Sequence, residues 1–165
     1  MNKLTLFIAI AGLYFATLAC ANANGKTTGE TTSPKVEADG KGDNPGVIHL
    51  DKETFKKLVF DYENNTEWKY EGDKPAILDF YADWCGPCRM LSPILAKVQK
   101  EYEGKIQVYK INTDKQRELA ATFGIRSLPT IVFVPKDGKP QAMLGYRPKE
   151  EIENAIKEIL KVEKP

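Results

Sequence analysis

Two cysteines three positions apart constrain the fold of this chain more than any other feature. Cys85 and Cys88 lie between an apolar run, residues 76–82, and a segment whose apolar residues recur at helical spacing. This arrangement predicts a strand that leads directly into a helix, with Cys85 at the helix N-terminus. Unpaired N–H groups and the positive end of the helix dipole favour a thiolate there. Because Cys88 lies one turn further along, the two sulfurs can close a small disulfide ring, and we predict a dithiol–disulfide exchange site.

The composition argues against several other kinds of site. The 165 residues carry 24 basic and 23 acidic side chains, and a net charge of +1 gives no reason to expect nucleic acid as a partner. A structural zinc ion needs four ligands, but Cys20 lies in the N-terminal segment and His49 is the only histidine. A purely structural Cys85–Cys88 bridge is also disfavoured, because it would barely constrain the unfolded chain. No metal is expected, and no cofactor besides the redox-active pair.

The first 23 residues are predicted to be an export signal. Lys3 supplies a positive start, a mostly apolar run follows over residues 4–18, and small residues come next. Two cleavage sites remain open: a small-x-small pattern at residues 21–23, and an imperfect lipobox that would make Cys20 a lipidated N-terminus. Both predict an exported protein in the periplasm of a bacterium, with a lipid at Cys20 as its possible membrane anchor.

A flexible linker and one compact α/β domain are predicted after the signal. Residues 24–46 are rich in Thr, Gly, Lys, Asp and Pro, and cannot bury enough apolar surface to offset the entropy of ordering. Residues 47–162 suffice for one domain with its own core. Their apolar pattern predicts the order β-α-β-α-β-α-β-β-α, a central mixed sheet with helices on both faces.

Residues at the ends of the predicted helices indicate where each helix begins or stops. Asp51 is expected to cap the first helix, and Asp114 or Thr113 the third. Gly124 suits a left-handed end to that third helix, and Pro148 is tolerated at the start of the last one.

Three stretches of the predicted domain together resemble the thioredoxin family. Residues 76–92 contain the sequence WCGPC, residues 108–112 read VYKIN, and residues 123–130 contain a Leu-Pro-Thr tripeptide. The resemblance covers the whole domain and implies the thioredoxin fold and a protein-disulfide reductase. The signal and linker depart from ordinary cytoplasmic thioredoxins, and Tyr81 stands where many members have tryptophan.

The resemblance implies roles for the residues around the pair. Cys85, expected to be the more exposed thiol with the lower pKa, attacks the substrate, and Cys88 resolves the mixed disulfide. Gly86 and Pro87 bound the loop between them, and in the family this dipeptide accompanies a reducing potential. A reductant is therefore favoured over an oxidant.

Asp79 is a carboxylate within an otherwise apolar strand. It is either a polar residue that faces solvent at a strand edge, or a buried carboxyl with a raised pKa that acts as a base for Cys88. The resemblance favours the second interpretation, because Lys110 matches the family's buried partner for that carboxyl.

A substrate-binding surface is expected around Cys85. Pro129 matches the family's cis-proline, and its loop would leave the Leu128 backbone free to pair with an extended substrate. The other residues predicted to form this flat apolar surface are Trp84, Gly86, Pro87 and Gly145.

The expected partners are disulfide-containing client proteins and a membrane thiol reductase as electron donor, and the protein is expected to be a monomer. A net oxidant, an isomerase and a reductant for cytochrome maturation are enzymatic alternatives. The last is disfavoured, because only a short helix fits between Asn112 and Pro129, where such relatives usually carry an insertion. A binding or chaperone module with incidental cysteines is the non-enzymatic alternative.

Overall fold

A computed structural model describes residues 46–165, and a five-stranded sheet forms the centre of this part of the chain. The predicted export signal, Cys20 and all but the last residue of the predicted linker lie outside the described residues. The strands are β1 (Ile48–His49), β2 (Ala76–Tyr81), β3 (Gln107–Asn112), β4 (Thr130–Val134) and β5 (Gln141–Leu144).

The sheet is mixed, as the sequence predicts. Its strand order is β1-β3-β2-β4-β5. Strands β1 and β2 both pair with β3 in parallel, whereas β4 is antiparallel to β2 and to β5. The central strand β2 is therefore paired on both sides, which agrees with its nearly continuous apolar sequence.

The helices alternate with the strands in the predicted order and cover both faces of the sheet. Helix α2 and the C-terminal helix pack on one face with Ile77 and Phe133, and α1 and α3 pack on the other with Leu78 and Phe80. Because side chains of a strand alternate between faces, Asp79 lies on the α2 side, like Ile77. The helices are α1 (Lys52–Leu58), α2 (Gly86–Glu101), α3 (Arg117–Thr122) and α4 (Lys149–Ala155), which continues as a π-helical turn over Ile156–Leu160.

The predicted start of α1 is confirmed. Asp51 accepts a hydrogen bond from the Thr54 N–H through its carboxylate (2.8 Å), and the Thr54 hydroxyl accepts one from the Asp51 N–H (2.9 Å). This reciprocal capping box satisfies two N–H groups that a helix start otherwise leaves free.

No helix within residues 46–165 has both the length and the apolar sequence that a membrane span requires.

The predicted cap of α3 is wrong, although its end is correct. The helix begins after Gln116, which provides no side-chain cap, so neither Asp114 nor Thr113 occupies that position. The Asn112 side-chain oxygen accepts hydrogen bonds from two N–H groups just before the helix, and this turn delays its start. Gly124 ends the helix in the left-handed region (φ 62°), as predicted.

Candidate active site

The cysteine pair lies at the junction of β2 and α2 and forms a disulfide (Cα–Cα distance 5.3 Å). Cys85 is the N-cap of α2, and its Sγ accepts a hydrogen bond from the Cys88 N–H (3.2 Å). Pro87 is tolerated in the first turn because its missing N–H would have no partner there. A thiolate on Cys85 would thus lie at the positive end of a 16-residue helix, where its charge is stabilised.

Both cysteines are largely covered in this disulfide form. Cys85 retains 4% of its accessible surface and Cys88 retains 2%, so Cys85 is the more exposed only by a small margin. Ala82 packs against the pair, together with the partly buried Tyr81 and Leu128. A substrate sulfur can therefore reach Cys85 only from the surface next to the disulfide.

The loop before β4 lies against the disulfide. The Leu128–Pro129 peptide bond is cis, as predicted. The Pro129 carbonyl accepts a hydrogen bond from the Gly145 N–H (2.8 Å), which ties the loop to the end of β5. Within the described residues, no backbone hydrogen bond uses the N–H or C=O of Leu128. These two groups are therefore available to an extended chain that pairs with the loop.

Trp84 dominates the exposed surface next to the disulfide. The residue is 69% exposed, and its indole Nε1 donates a hydrogen bond to the Asp114 carboxylate (2.9 Å). A groove of about 430 Å³ runs between this ring and the loop before β4; it is lined by Trp84, Thr113, Ile125, Arg126, Ser127 and Leu128. Of the other predicted surface residues, Pro87 is exposed, Gly86 and Gly145 are half-buried, and Pro129 itself is buried.

Asp79 is fully buried beneath α2, which excludes the solvent-facing alternative. In the parallel pairing of β2 and β3 it lies directly beside Lys110, and its carboxylate Oδ2 is 3.3 Å from the Lys110 Nζ. Burial raises the pKa of Asp79 to about 6, although the Lys110 charge acts in the opposite direction. Neither carboxyl oxygen has a hydrogen-bond partner among the described residues. The group is therefore a buried carboxyl able to exchange a proton near neutral pH.

The ammonium of Lys110 has two further neighbours that sequence reasoning missed. Its shortest polar distance is to the Ser92 Oγ (2.7 Å), and it lies 4.4 Å from the centre of the Tyr81 ring. Ser92 follows Cys88 by one helical turn, and this spacing is the sequence signal that could have placed it on the same face of α2.

His49 completes this polar region from β1. Its Nδ1 lies 3.3 Å from the Tyr81 hydroxyl, and its pKa is lowered by burial and then by the charges of Lys110 and Lys115. Among residues 46–165, no cluster of three or more His, Cys, Asp or Glu side chains could hold a metal ion.

Known proteins resemble this chain over most of its described residues. The thioredoxin family model matches residues 46–158. A thioredoxin of Borreliella burgdorferi is 51% identical over 112 residues, which cover 68% of this chain and 96% of that protein. A thioredoxin of Alicyclobacillus acidocaldarius is 40% identical over 97 residues, covering 58% and 91% of the two chains. A crystal structure of chloroplastic thioredoxin z matches with a TM-score of 0.59 at 30% identity, covering 70% of this chain and 96% of that one. The chain therefore belongs to the thioredoxin family and is a thiol–disulfide oxidoreductase that needs no cofactor beyond its redox-active dithiol.

Proposed function

We propose that this protein reduces disulfides of exported proteins through a cycle of Cys85 and Cys88. The observation that carries the proposal is the position of the Cys85 Sγ, which caps α2 and accepts the Cys88 N–H. The same sulfur lies next to a loop whose Leu128 backbone has no hydrogen-bond partner within the described residues.

In the proposed cycle, the Cys85 thiolate attacks one sulfur of a client disulfide. A mixed disulfide forms, and the other client sulfur leaves as a thiolate. Cys88 then loses its proton and attacks the Cys85 Sγ, which forms the Cys85–Cys88 disulfide and releases the second client sulfur. Two electrons pass to the client, whose thiolates take up two protons.

Asp79 is proposed to be the base for Cys88 in the second step. Its side chain lies on the sheet face that α2 covers, and α2 carries Cys88. With a pKa of about 6, the carboxylate is mostly ionised at neutral pH and is a stronger base than an ordinary aspartate. Lys110 is its proposed partner, because it limits the rise in that pKa.

The client is proposed to bind as an extended segment beside the loop before β4. Its backbone would pair with Leu128, while the exposed ring of Trp84 and the surface of Gly86 and Pro87 contact its side chains. Pro129 and Gly145 are proposed to act by holding the loop, since the Pro129 carbonyl accepts the Gly145 N–H.

The place of action is proposed to be the periplasm. Support comes from the sequence alone, in the export signal over residues 1–23 and the linker over residues 24–46. A separate membrane thiol reductase would then return electrons to the disulfide, and the protein would act as a monomer. Fractionation of cells that express the full chain and its Cys20→Ser variant tests the location. Retention of both forms in the cytoplasm would contradict export, and loss of only the variant from membranes would identify a lipid anchor.

The cycle is tested with the purified protein, dithiothreitol as electron source and a disulfide-containing protein as client. The Cys85→Ser variant should lose activity, whereas Cys88→Ser, reduced beforehand and freed of dithiothreitol, should accumulate a covalent complex with the client through Cys85. Cys20→Ser is the matched control, because this third cysteine lies outside the described domain, and it should retain full activity. The double variant at Cys85 and Cys88 is also expressed in cells in place of the parent. If these cells keep the protein's full biological activity, the result would instead support a binding module with incidental cysteines.

A further inference from the structure

The buried ammonium of Lys110 is held more closely by a hydroxyl than by its charged partner. The Ser92 Oγ accepts its hydrogen bond at 2.7 Å, whereas the Asp79 Oδ2 lies 3.3 Å away and receives no hydrogen bond. The Lys110 side chain is only 7% exposed and that of Asp79 is completely buried. An unshielded carboxylate normally attracts an ammonium more strongly than a neutral hydroxyl does. The observed arrangement therefore reflects the position of Ser92.

We propose that Ser92 is a positioning residue, whose hydroxyl holds the Lys110 ammonium away from the Asp79 carboxylate and so keeps this buried ion pair weak. The proposal rests on the proposed function in one respect, because its effect on the reaction requires Asp79 to be the base for Cys88. The arrangement itself depends only on the contacts of Lys110.

The residues around Lys110 explain why the Ser92 hydroxyl can hold the ammonium away from Asp79. Ser92 lies on α2 above the sheet, and the ring of Tyr81 lies 4.4 Å from the ammonium on the same face. Within the described part of the chain, Ser92 is the only hydrogen-bond acceptor of the Lys110 Nζ. If that acceptor is removed, the Asp79 carboxylate, with its Oδ2 3.3 Å away, remains as the charged partner of the ammonium. The ammonium should then move toward it, since a buried donor without a partner is unfavourable.

The other titratable and charged groups near the pair come from three elements. On β2, Tyr81 contributes its ring face, and its hydroxyl is directed to His49 of β1. Cys88 faces the sheet from α2 and titrates only when the disulfide is reduced. Lys110 is the charge that acts on Asp79 in the oxidised protein. A titration of the oxidised form thus reports on Asp79 without interference from the thiols of the pair.

The proposal predicts the direction of one measurable change. In Ser92→Ala the carboxylate should gain a closer positive charge, so the pKa of Asp79 should fall by roughly one pH unit from its value of about 6. In the reaction, the acidic limb of the pH profile for resolution of the mixed disulfide should shift downward by the same amount. Ser92→Thr keeps the hydroxyl and should restore the parental values.

The test is a pH titration of the Asp79 carboxyl carbon by NMR in the oxidised full chain. It compares the parent, Ser92→Ala and Ser92→Thr, each also in a Lys110→Met background. We expect a lower pKa in Ser92→Ala, the parental value in Ser92→Thr, and no effect of Ser92→Ala once Lys110 is replaced. An unchanged or higher pKa in Ser92→Ala would overturn the proposal, and so would an equal shift in the Lys110→Met background. If Ser92→Ala folds poorly, Ser92→Val and Ser92→Thr are compared instead, because these two side chains have nearly the same shape and only threonine keeps the hydroxyl. A lower pKa of Asp79 in Ser92→Val than in Ser92→Thr supports the proposal, and equal values overturn it.

The same variants separate this proposal from the proposed function. If the pKa of Asp79 shifts as expected but the pH profile of resolution stays in place, Ser92 positions Lys110 and the role of Asp79 as base is wrong. If Asp79→Asn slows resolution but Ser92→Ala leaves the pKa unchanged, Asp79 acts as the base and the role of Ser92 is wrong.

Discussion

The replacement of Asp79 by asparagine should stabilise the oxidised protein, and only at neutral to alkaline pH. The carboxyl is completely buried, and its pKa is raised from 3.8 in the unfolded chain to about 6 in the folded one. Between these two values the folded protein binds more protons than the unfolded chain does. Stability therefore falls as the pH rises through this window, and the full penalty is present above the folded pKa.

The size of the penalty follows from the difference between the two pKa values. A difference of about two pH units corresponds to roughly 3 kcal/mol in the free energy of unfolding. Solvent does not screen this charge, because none of the Asp79 side chain reaches the surface. Asparagine keeps the shape of the protonated acid and cannot ionise. The variant should therefore match the parent near pH 4, apart from a constant offset due to the amide, and exceed it by about 3 kcal/mol at pH 8.

Urea unfolding of the oxidised protein, followed at pH 4, 5, 6, 7 and 8, measures this difference. Oxidation is essential, because free thiols would also titrate in this range. Asp137→Asn is the matched control, since Asp137 lies in the exposed turn between β4 and β5. A difference between Asp79→Asn and the parent that stays constant from pH 4 to pH 8 would refute the argument, and so would a variant that is less stable at pH 8 than at pH 4 relative to the parent.

Three further substitutions test separate parts of the structure. Asp51→Ala should lower the free energy of unfolding by about 1 kcal/mol, because it removes the cap of α1, and Asp51→Asn should restore most of it in the same urea experiment. Leu95→Ala should lower it by about 3 kcal/mol through a cavity beneath α2, whereas the exposed Met90→Ala on the same helix should change it little. Trp84→Ala should raise the KM for a protein disulfide by about fivefold, since an aromatic contact contributes about 1 kcal/mol. A small aromatic disulfide reagent that needs no extended contact should react with this variant at nearly the parental rate.

The sequence was sufficient for the fold because its local and global signals agree. The apolar run of β2 marks a strand buried on both faces, and the helical spacing after Cys88 marks α2. The capping box at Asp51 and the left-handed Gly124 depend only on neighbouring residues. These features involve short separations along the chain, so they can be predicted without knowledge of the tertiary structure.

The contacts that modulate the candidate site depend instead on how distant strands align. In the registers of β1, β3 and β2, His49 lies beside Lys110, and Lys110 lies beside Asp79. Tyr81, two positions after Asp79 on β2, points to the same face of the sheet, and α2 covers this face, which brings Ser92 to the same ammonium. Sequence spacing does not determine such a register, so only the pairing of Asp79 with Lys110 was anticipated, through the family resemblance.

The start of α3 was predicted incorrectly for a related reason. Asp114 is a good N-cap by residue type, but its carboxylate accepts the indole N–H of Trp84, 30 positions earlier in the chain. The Asn112 side chain forms the turn that precedes the helix. A residue whose type suits a helix cap can thus bind a side chain that is distant in the sequence instead. Cap preferences alone cannot distinguish these two roles.

The measurement that tests the central claim most directly is the reduction potential of the Cys85–Cys88 disulfide. The purified protein is equilibrated in dithiothreitol buffers of defined ratio, and the fraction of reduced protein is measured after the thiols are alkylated. A protein-disulfide reductase should show a strongly negative value, near the −270 mV or so that is general for thioredoxins. A value above about −180 mV, in the range of proteins that oxidise or isomerise their clients, would contradict the proposal that this protein is a reductant.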